Sequence, residues 1–226
     1  MIKKISVITP VYNEERSLKK NFSKIYKFLF NNFSSFEIIL IESGSSDKSN
    51  LLCKKYEKLK NVKLFVQKNR EGFGSAIKLG IKKISGEFFC VLPIDLCFNL
   101  SELAILNKKK FDLLTSYRII DNRNILRKLQ SYIYNIFIKI IFGLNFKSIN
   151  SLPKIYKSSF IKKKKLYSKG GTIDAEILFH FKKKNKQEII PVKFINRKYG
   201  SSKIKLLDII NIVIDALIVR LKIALF

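Results

Sequence analysis

The chain alternates short β-branched apolar runs with longer segments in which apolar residues recur every three or four positions. Residues 4–9 and 36–42 are apolar almost throughout and end in polar turn residues, the pattern of interior strands covered on both faces. Between them Leu18, Phe22, Ile25, Phe28 and Leu29 mark a helix over residues 14–31. A second helix follows at 47–56, a strand at 62–66, a third helix from Gly72 to about Ser85, and a strand at 87–92. This alternation predicts an α/β fold with a mostly parallel central sheet flanked by helices.

The second half is less regular. It predicts a strand at 111–116, an apolar helix at 126–143 interrupted by Lys139, a basic loop at 162–165 and a helix at 173–184. A last strand at 188–194 carries Pro191, which suits a sheet edge because proline has no N–H to give a second neighbour. No linker or repeat separates the halves, so residues 1–205 read as one domain that extends a single sheet. Residues 206–226 form a closing helix with Asp208, Asn211, Asp215 and Lys222 along one face. A mid-bilayer carboxylate costs about 2.5–3.5 kcal/mol on insertion scales. This segment is therefore expected to be an amphipathic helix at a membrane interface rather than a spanning one, with packing on its own domain left open as a third option.

Composition narrows the function classes. A chain of 226 residues with 47% hydrophobic and 27% charged positions can bury one sizeable core, which excludes disorder. Mean hydropathy of +0.04 excludes a polytopic membrane protein. The apolar run at 5–12 stops at Asn13-Glu14-Glu15, too short for a signal peptide, so a cytoplasmic setting is expected. Three cysteines without a C-x-x-C spacing argue against a disulfide framework or structural zinc. His180 is the single histidine, which excludes a two-histidine metal site.

Charge points toward anions. There are 45 Lys+Arg against 17 Asp+Glu, a net +28, which favours an anionic membrane surface or a phosphorylated substrate. Most of the lysines read as ordinary solvated surface, because Lys, Ile, Asn and Phe are enriched together as an AT-biased genome would write them. Nucleic acid is not an expected partner: the basic residues are dispersed and no binding module is recognisable. Only seven of the 45 cations are arginines, so each arginine is the more informative.

In open α/β sheets ligands sit off the carboxyl ends of the strands. Those ends read Thr9-Pro10-Val11-Tyr12-Asn13-Glu14-Glu15, Glu42-Ser43-Gly44-Ser45-Ser46-Asp47, Asn69-Arg70-Glu71-Gly72-Phe73-Gly74-Ser75-Ala76 and Leu92-Pro93-Ile94-Asp95. The third position of a dinucleotide-binding glycine fingerprint is Ile77, so a nicotinamide cofactor is not indicated.

Taken in order, these four segments resemble the family-2 glycosyltransferases of the GT-A (Rossmann-like) fold, and among them the polyprenyl- or dolichyl-phosphate mannosyl- and glucosyltransferases. Downstream, Asn150-Ser151-Leu152-Pro153-Lys154-Ile155-Tyr156 resembles the family's acceptor loop, and Ile173-Asp174-Ala175-Glu176 its following helix. Pro191-Val192-Lys193-Phe194 and Arg197-Lys198-Tyr199-Gly200-Ser201-Ser202-Lys203 resemble P-V-x-F followed by R-x-x-G-x-S-K. The resemblance spans about residues 4–205.

It implies a nucleotide-sugar site at Pro10, Tyr12, Glu14, Glu42, Gly72 and Gly74, with the glycines admitting the nucleotide at a helix start. It implies that Asp95 binds a divalent cation, Mg or Mn, at the diphosphate. Two departures stand out: Pro93 replaces the first acid of D-x-D, and Ser43 the second acid of the earlier pair. Arg118, Arg127, Arg197 and Lys203 are the expected acceptor-phosphate cations, with Arg118 and Arg197 counted beside Asp95 as catalytic. The implied activity is inverting transfer of a hexose from a nucleotide diphosphate sugar to a polyprenyl phosphate at the cytoplasmic membrane face. A different lipid or glycan acceptor, with Asp174 or Glu176 as base, and a non-catalytic domain are the alternatives.

Overall fold

A computed structural model describes residues 4–107, 110–121, 125–181, 186–195 and 206–225. Five strands, β1 (Ile5–Val11), β2 (Phe36–Glu42), β3 (Val62–Val66), β4 (Phe88–Val91) and β5 (Leu113–Ile120), follow one another at the predicted places. Then come β6 (Ile155–Lys157) and β7 (Gln187–Lys193), giving one sheet in the order β3-β2-β1-β4-β6-β5-β7. Every pairing is parallel except those of β6, which runs antiparallel between β4 and β5. The sequence reading missed β6, because three residues inside the acceptor-loop pattern are too short to show a period. β7 lies at the sheet edge, with Pro191 beside Tyr117, as the proline predicted.

The helices α1 (Glu15–Asn32), α2 (Ser49–Glu57), α3 (Phe73–Lys83), α4 (Ile125–Phe142), α5 (Ile173–His180) and α6 (Leu206–Leu225) cover both faces. Alternation along the strands assigns the faces. Ile5, Val7 and Val11 of β1 pack with Leu18, Phe22, Ile25 and Leu29 of α1 in one apolar cluster. Ile8 of β1 and Ile39 and Ile41 of β2 point the other way, into a second cluster built by α3, α4, α5 and α6. Ala216 and Val219 bring α6 into that second cluster, so the closing helix is seated on the domain.

Asp215 of α6 turns toward its own domain, whereas Ile214, Leu217, Ile218, Leu221 and Leu225 are exposed. On α4, Ile125, Leu126, Leu129, Tyr132, Ile133 and Ile140 are exposed as well, and the two helices pack side by side. Among the described residues, no helix is long and apolar enough to cross a membrane.

Candidate active site

The carboxyl ends of β1 and β2 are locked to each other by side-chain to backbone bonds. Asn13, at φ 54, donates its N–H to Ser45 Oγ (3.0 Å), and Ser46 N–H returns to Asn13 Oδ1 (2.8 Å). Glu14 N–H donates to Ser49 Oγ at 2.9 Å and Glu15 N–H to Asp47 Oδ2 at 3.0 Å. Glu42 is fully buried and organises the second loop. Its carboxylate accepts from Ser45 N–H (2.6 Å), Gly44 N–H (3.2 Å) and Asn50 Nδ2 (3.0 Å). Burial pushes the Glu42 pKa up, but the bonds from Ser45, Asn50 and Gly44 outweigh it and hold the carboxyl below its ordinary value. Ser43, the replaced acid, donates to Gln67 Oε1 at 2.8 Å, so a neutral hydroxyl–amide pair takes the place of the second carboxylate.

Tyr12 is half-buried with the Arg70 guanidinium 4.5 Å from its ring centroid, and Pro10 lies beside it on β1. The Tyr12–Arg70 stack forms a flat cationic edge at the β1 end. Gly72 caps α3 at φ 99, a region that favours glycine. The neighbour that approaches this glycine pair is the chain itself. A Cβ on Gly72 would lie 2.4 Å from Lys169 O, and one on Gly74 would lie 2.8 Å from the backbone of residues 168–170.

Asp95 follows β4 in a turn whose next residue, Leu96, has φ 50. Both Asp95 carboxylate oxygens are buried. An open cavity of about 280 Å³ borders Asp95 on the α1 face, with Lys20, Asn21 and Lys24 on its wall. Among the described residues, no three His, Cys, Asp or Glu side chains converge on a metal-sized site. One carboxylate fits a magnesium-type cation that arrives with phosphate and water ligands, but not a resident all-protein metal site.

The residues expected on the acceptor side come together around β5, β6 and α5. Arg118 Nη2 donates to Asn150 O at 3.3 Å, and its guanidinium lies 4.9 Å from the Phe194 ring centroid. Lys154, just before β6, is 1% exposed and pairs with Asp174 Oδ2 at 3.3 Å. Burial pushes the Lys154 pKa down and Asp174 pulls it back up, while Arg118 lies near enough to disfavour a second positive charge. Lys154 thus pairs with Asp174 while the half-buried Arg118 adds positive charge beside it. Glu176, in contrast, is buried and occupied: it accepts from Tyr167 N–H (2.7 Å) and Ser168 N–H (2.9 Å). Burial raises its pKa, which those two bonds lower only in part.

Of the residues expected from sequence, Arg118 lies in this cluster and Arg127 is exposed on α4. Arg197 and Lys203 lie outside the described residues. Lys154 was quoted only as a letter of the loop pattern; in a chain where lysine is the habit, nothing marked it as buried. Tyr134 of α4 was also missed, although its buried hydroxyl is pushed up in pKa by desolvation and by Asp174 nearby.

The profile of glycosyl transferase family 2 matches residues 6–166. Among curated proteins, the undecaprenyl-phosphate 4-deoxy-4-formamido-L-arabinose transferase of Photorhabdus laumondii is 28% identical over 221 residues, covering 96% of this chain and 67% of its own. Its counterpart in Salmonella choleraesuis is 28% identical over 219 residues, covering 95% and 66%. The chain therefore spans about two thirds of the length of these relatives. Among solved structures, glucosyl-3-phosphoglycerate synthase from Mycobacterium tuberculosis, in complex with Mn2+, UDP and phosphoglyceric acid, superposes with a TM-score of 0.67. It is 13% identical, over 97% of this chain and 77% of that one. S. aureus TarS 1-349 in complex with UDP-GlcNAc gives 0.61 at 18% identity, over 94% of this chain and 66% of that one. At those identities the likeness is one of fold. The family profile covers most of the chain, over the strand ends and acceptor loop just described: the protein belongs to glycosyl transferase family 2.

Proposed function

We propose that this chain is an inverting glycosyltransferase that moves a hexose from a nucleotide diphosphate sugar to a polyprenyl phosphate, working at the cytoplasmic face of a membrane. The observation that carries the acceptor class is the Arg118, Lys154 and Asp174 cluster. A sugar hydroxyl needs a general base, yet Asp174 is paired with Lys154 and Glu176 is held by two backbone N–H groups. A phosphate monoester is already an anionic nucleophile near neutral pH and needs a cationic seat instead, which Arg118 beside the Lys154–Asp174 pair supplies. The relatives named for an undecaprenyl-phosphate acceptor support the same reading.

In this scheme Tyr12 and Arg70 edge the nucleobase, and Gly72 and Gly74 seat the 168–170 turn that lines the diphosphate side. Arg118 and Lys154 orient the acceptor phosphate, joined by Arg197 and Lys203 from the motif beyond β7. The phosphate oxygen attacks the anomeric carbon from the side opposite the diphosphate, which leaves with its bonding pair and inverts the centre. Asp95 would hold a divalent cation on the diphosphate. Such a cation, when bound, neutralises the charge that develops on the leaving group. The exposed apolar faces of α4 and α6, in a chain of net charge +28, suit an anionic bilayer surface on which the lipid acceptor is met.

Calorimetric titration with UDP and GDP, each with and without Mn2+, tests the donor half. One nucleotide should bind with metal, and Asp95→Ala should abolish the metal-dependent part. Transfer to undecaprenyl phosphate should fall by about a hundredfold or more in Arg118→Ala, with nucleotide affinity kept within about twofold. Absence of binding by either nucleotide would overturn the enzyme reading in favour of a non-catalytic domain.

A further inference from the structure

The turn at residues 168–172 is tied to four helices at once. From α5, Glu176 accepts the N–H groups of Tyr167 and Ser168. From α3, Gly74 N–H donates to Lys169 O at 3.0 Å and Lys78 Nζ to Tyr167 O at 3.3 Å. From α4, Tyr134 OH donates to Gly171 O at 3.4 Å. From α6, Asp215 Oδ2 accepts from Ser168 Oγ at 3.2 Å and from Thr172 Oγ1. The two hydroxyls lie 2.7 Å apart, and Gly170 N–H donates to Ser168 Oγ at 3.2 Å, so one carboxylate oxygen organises the inside of the turn.

We propose that Asp215 is a positioning residue: by pinning the turn at 168–172, it couples helix α6 to the glycine pair at the start of α3 and to Asp174 at the start of α5. The contact between turn and glycine pair is too close to be loose. A Cβ on either glycine would collide with the backbone of residues 168–170, so the turn and the first turn of α3 move together or not at all. Thr172 is the residue immediately before α5, which sets Asp174 against Lys154. Asp215 therefore touches neither pocket, yet it fixes the segment against which both are built. A solvated aspartate at that position would do none of this. Its placement on the domain-facing flank of α6, beside the exposed Ile214, is what makes the helix a lever. Ser168 and Thr172 are both fully buried, so without the carboxylate their hydroxyls lose a charged acceptor that water cannot readily replace.

The coupling to substrate rests on the proposed donor site, so the experiment reads the coupling in two ways. Hydrogen exchange of the full chain is compared among wild type, Asp215→Ala and Asp215→Asn, with Lys222→Ala as a control on the exposed part of the same helix. In Asp215→Ala, peptides spanning 72–76 and 167–174 should exchange about tenfold faster while those from β1 and β2 stay unchanged. Asp215→Asn retains an acceptor oxygen and should stay within about twofold of wild type. UDP with Mn2+ should bind Asp215→Ala about tenfold more weakly, and Asp215→Asn and Lys222→Ala near normally. Faster exchange confined to residues 206–225, or an Asn variant as impaired as Ala, would overturn the proposal. If wild type binds no UDP, the donor reading fails and the exchange result alone decides the coupling. If Asp215→Ala does not fold, Thr172→Val, which removes one of the two donors, is read against the same peptides, and unchanged exchange at 72–76 overturns the proposal.

Discussion

Glu37 illustrates how much a single residue at the far end of the sheet contributes. It sits at the amino end of β2, opposite the site, with its side chain 3% exposed. Burial raises its pKa, yet bonds from Lys63, Ser6 and Ser85 overcome that and bring it from 4.5 to about 2. A carboxyl whose folded pKa is depressed stabilises the fold above its unfolded value and loses that contribution as pH falls through the folded one. The linkage is worth up to about 3 kcal/mol, fully present above pH ~5 and lost as pH falls through ~2 to about 1. Urea unfolding of Glu37→Gln should therefore show a deficit of that order at pH 7 that shrinks steadily between pH 5 and pH 2. A deficit independent of pH would show that lost packing, not charge, explains it. The same residue marks what sequence could and could not tell. The positions of Glu42 and Asp95 stood out because they lie at and just beyond strand ends in a recognisable order. Glu37, Lys154 and Asp215 were not, because their importance lies in partners 26, 20 and 43 residues away.

At the scale of elements, the helices and the parallel strands followed from apolar periodicity, and β6 did not. Its three residues earn their place through Tyr156, which stacks on Phe89 (centroids 5.0 Å) and meets Phe181 at 5.6 Å. That sandwich carries the antiparallel strand across the gap between β4 and β5, and so delivers Lys154 to Arg118. The Tyr156 hydroxyl is buried and makes no hydrogen bond among the described residues, and burial drives its pKa well up. Tyr156→Ala should cost about 3–5 kcal/mol through the cavity it leaves. Tyr156→Phe should melt at or slightly above wild type, since it removes a desolvated hydroxyl and keeps the ring. A Phe variant that melts several degrees lower would reveal a bond from that hydroxyl essential to the β6 seat. Helix α6 forms where the sequence places it, but the side it turns to its own domain was not legible for a related reason. The wheel placed four polar residues on one face, but periodicity does not say which face a neighbouring turn will claim.

At the scale of the whole molecule, the net charge of +28 and the outward apolar surface of α4 and α6 make one argument. Apolar side chains such as Ile125, Ile140 and Leu225 gain by leaving water, at about 25 cal/mol for each Å² buried. Lysines near an anionic leaflet add about 1 kcal/mol each, a term that salt screens. The two contributions can be separated in one vesicle sedimentation series. Binding to vesicles of 30% phosphatidylglycerol in phosphatidylcholine should weaken by about tenfold or more between 0.1 and 0.5 M salt as screening removes the electrostatic part. Ile133→Glu combined with Leu217→Glu should reduce binding at both salt concentrations, because both positions are exposed on that surface. UDP binding with Mn2+ should be unchanged, since both side chains are exposed and neither is among the groups bonded to the turn at 168–172. Vesicle binding that is strong and salt-dependent in wild type but equal in the double variant would assign the contact to the lysines alone. The lipid acceptor would then have to reach the Arg118 and Lys154 pocket by another side of the molecule.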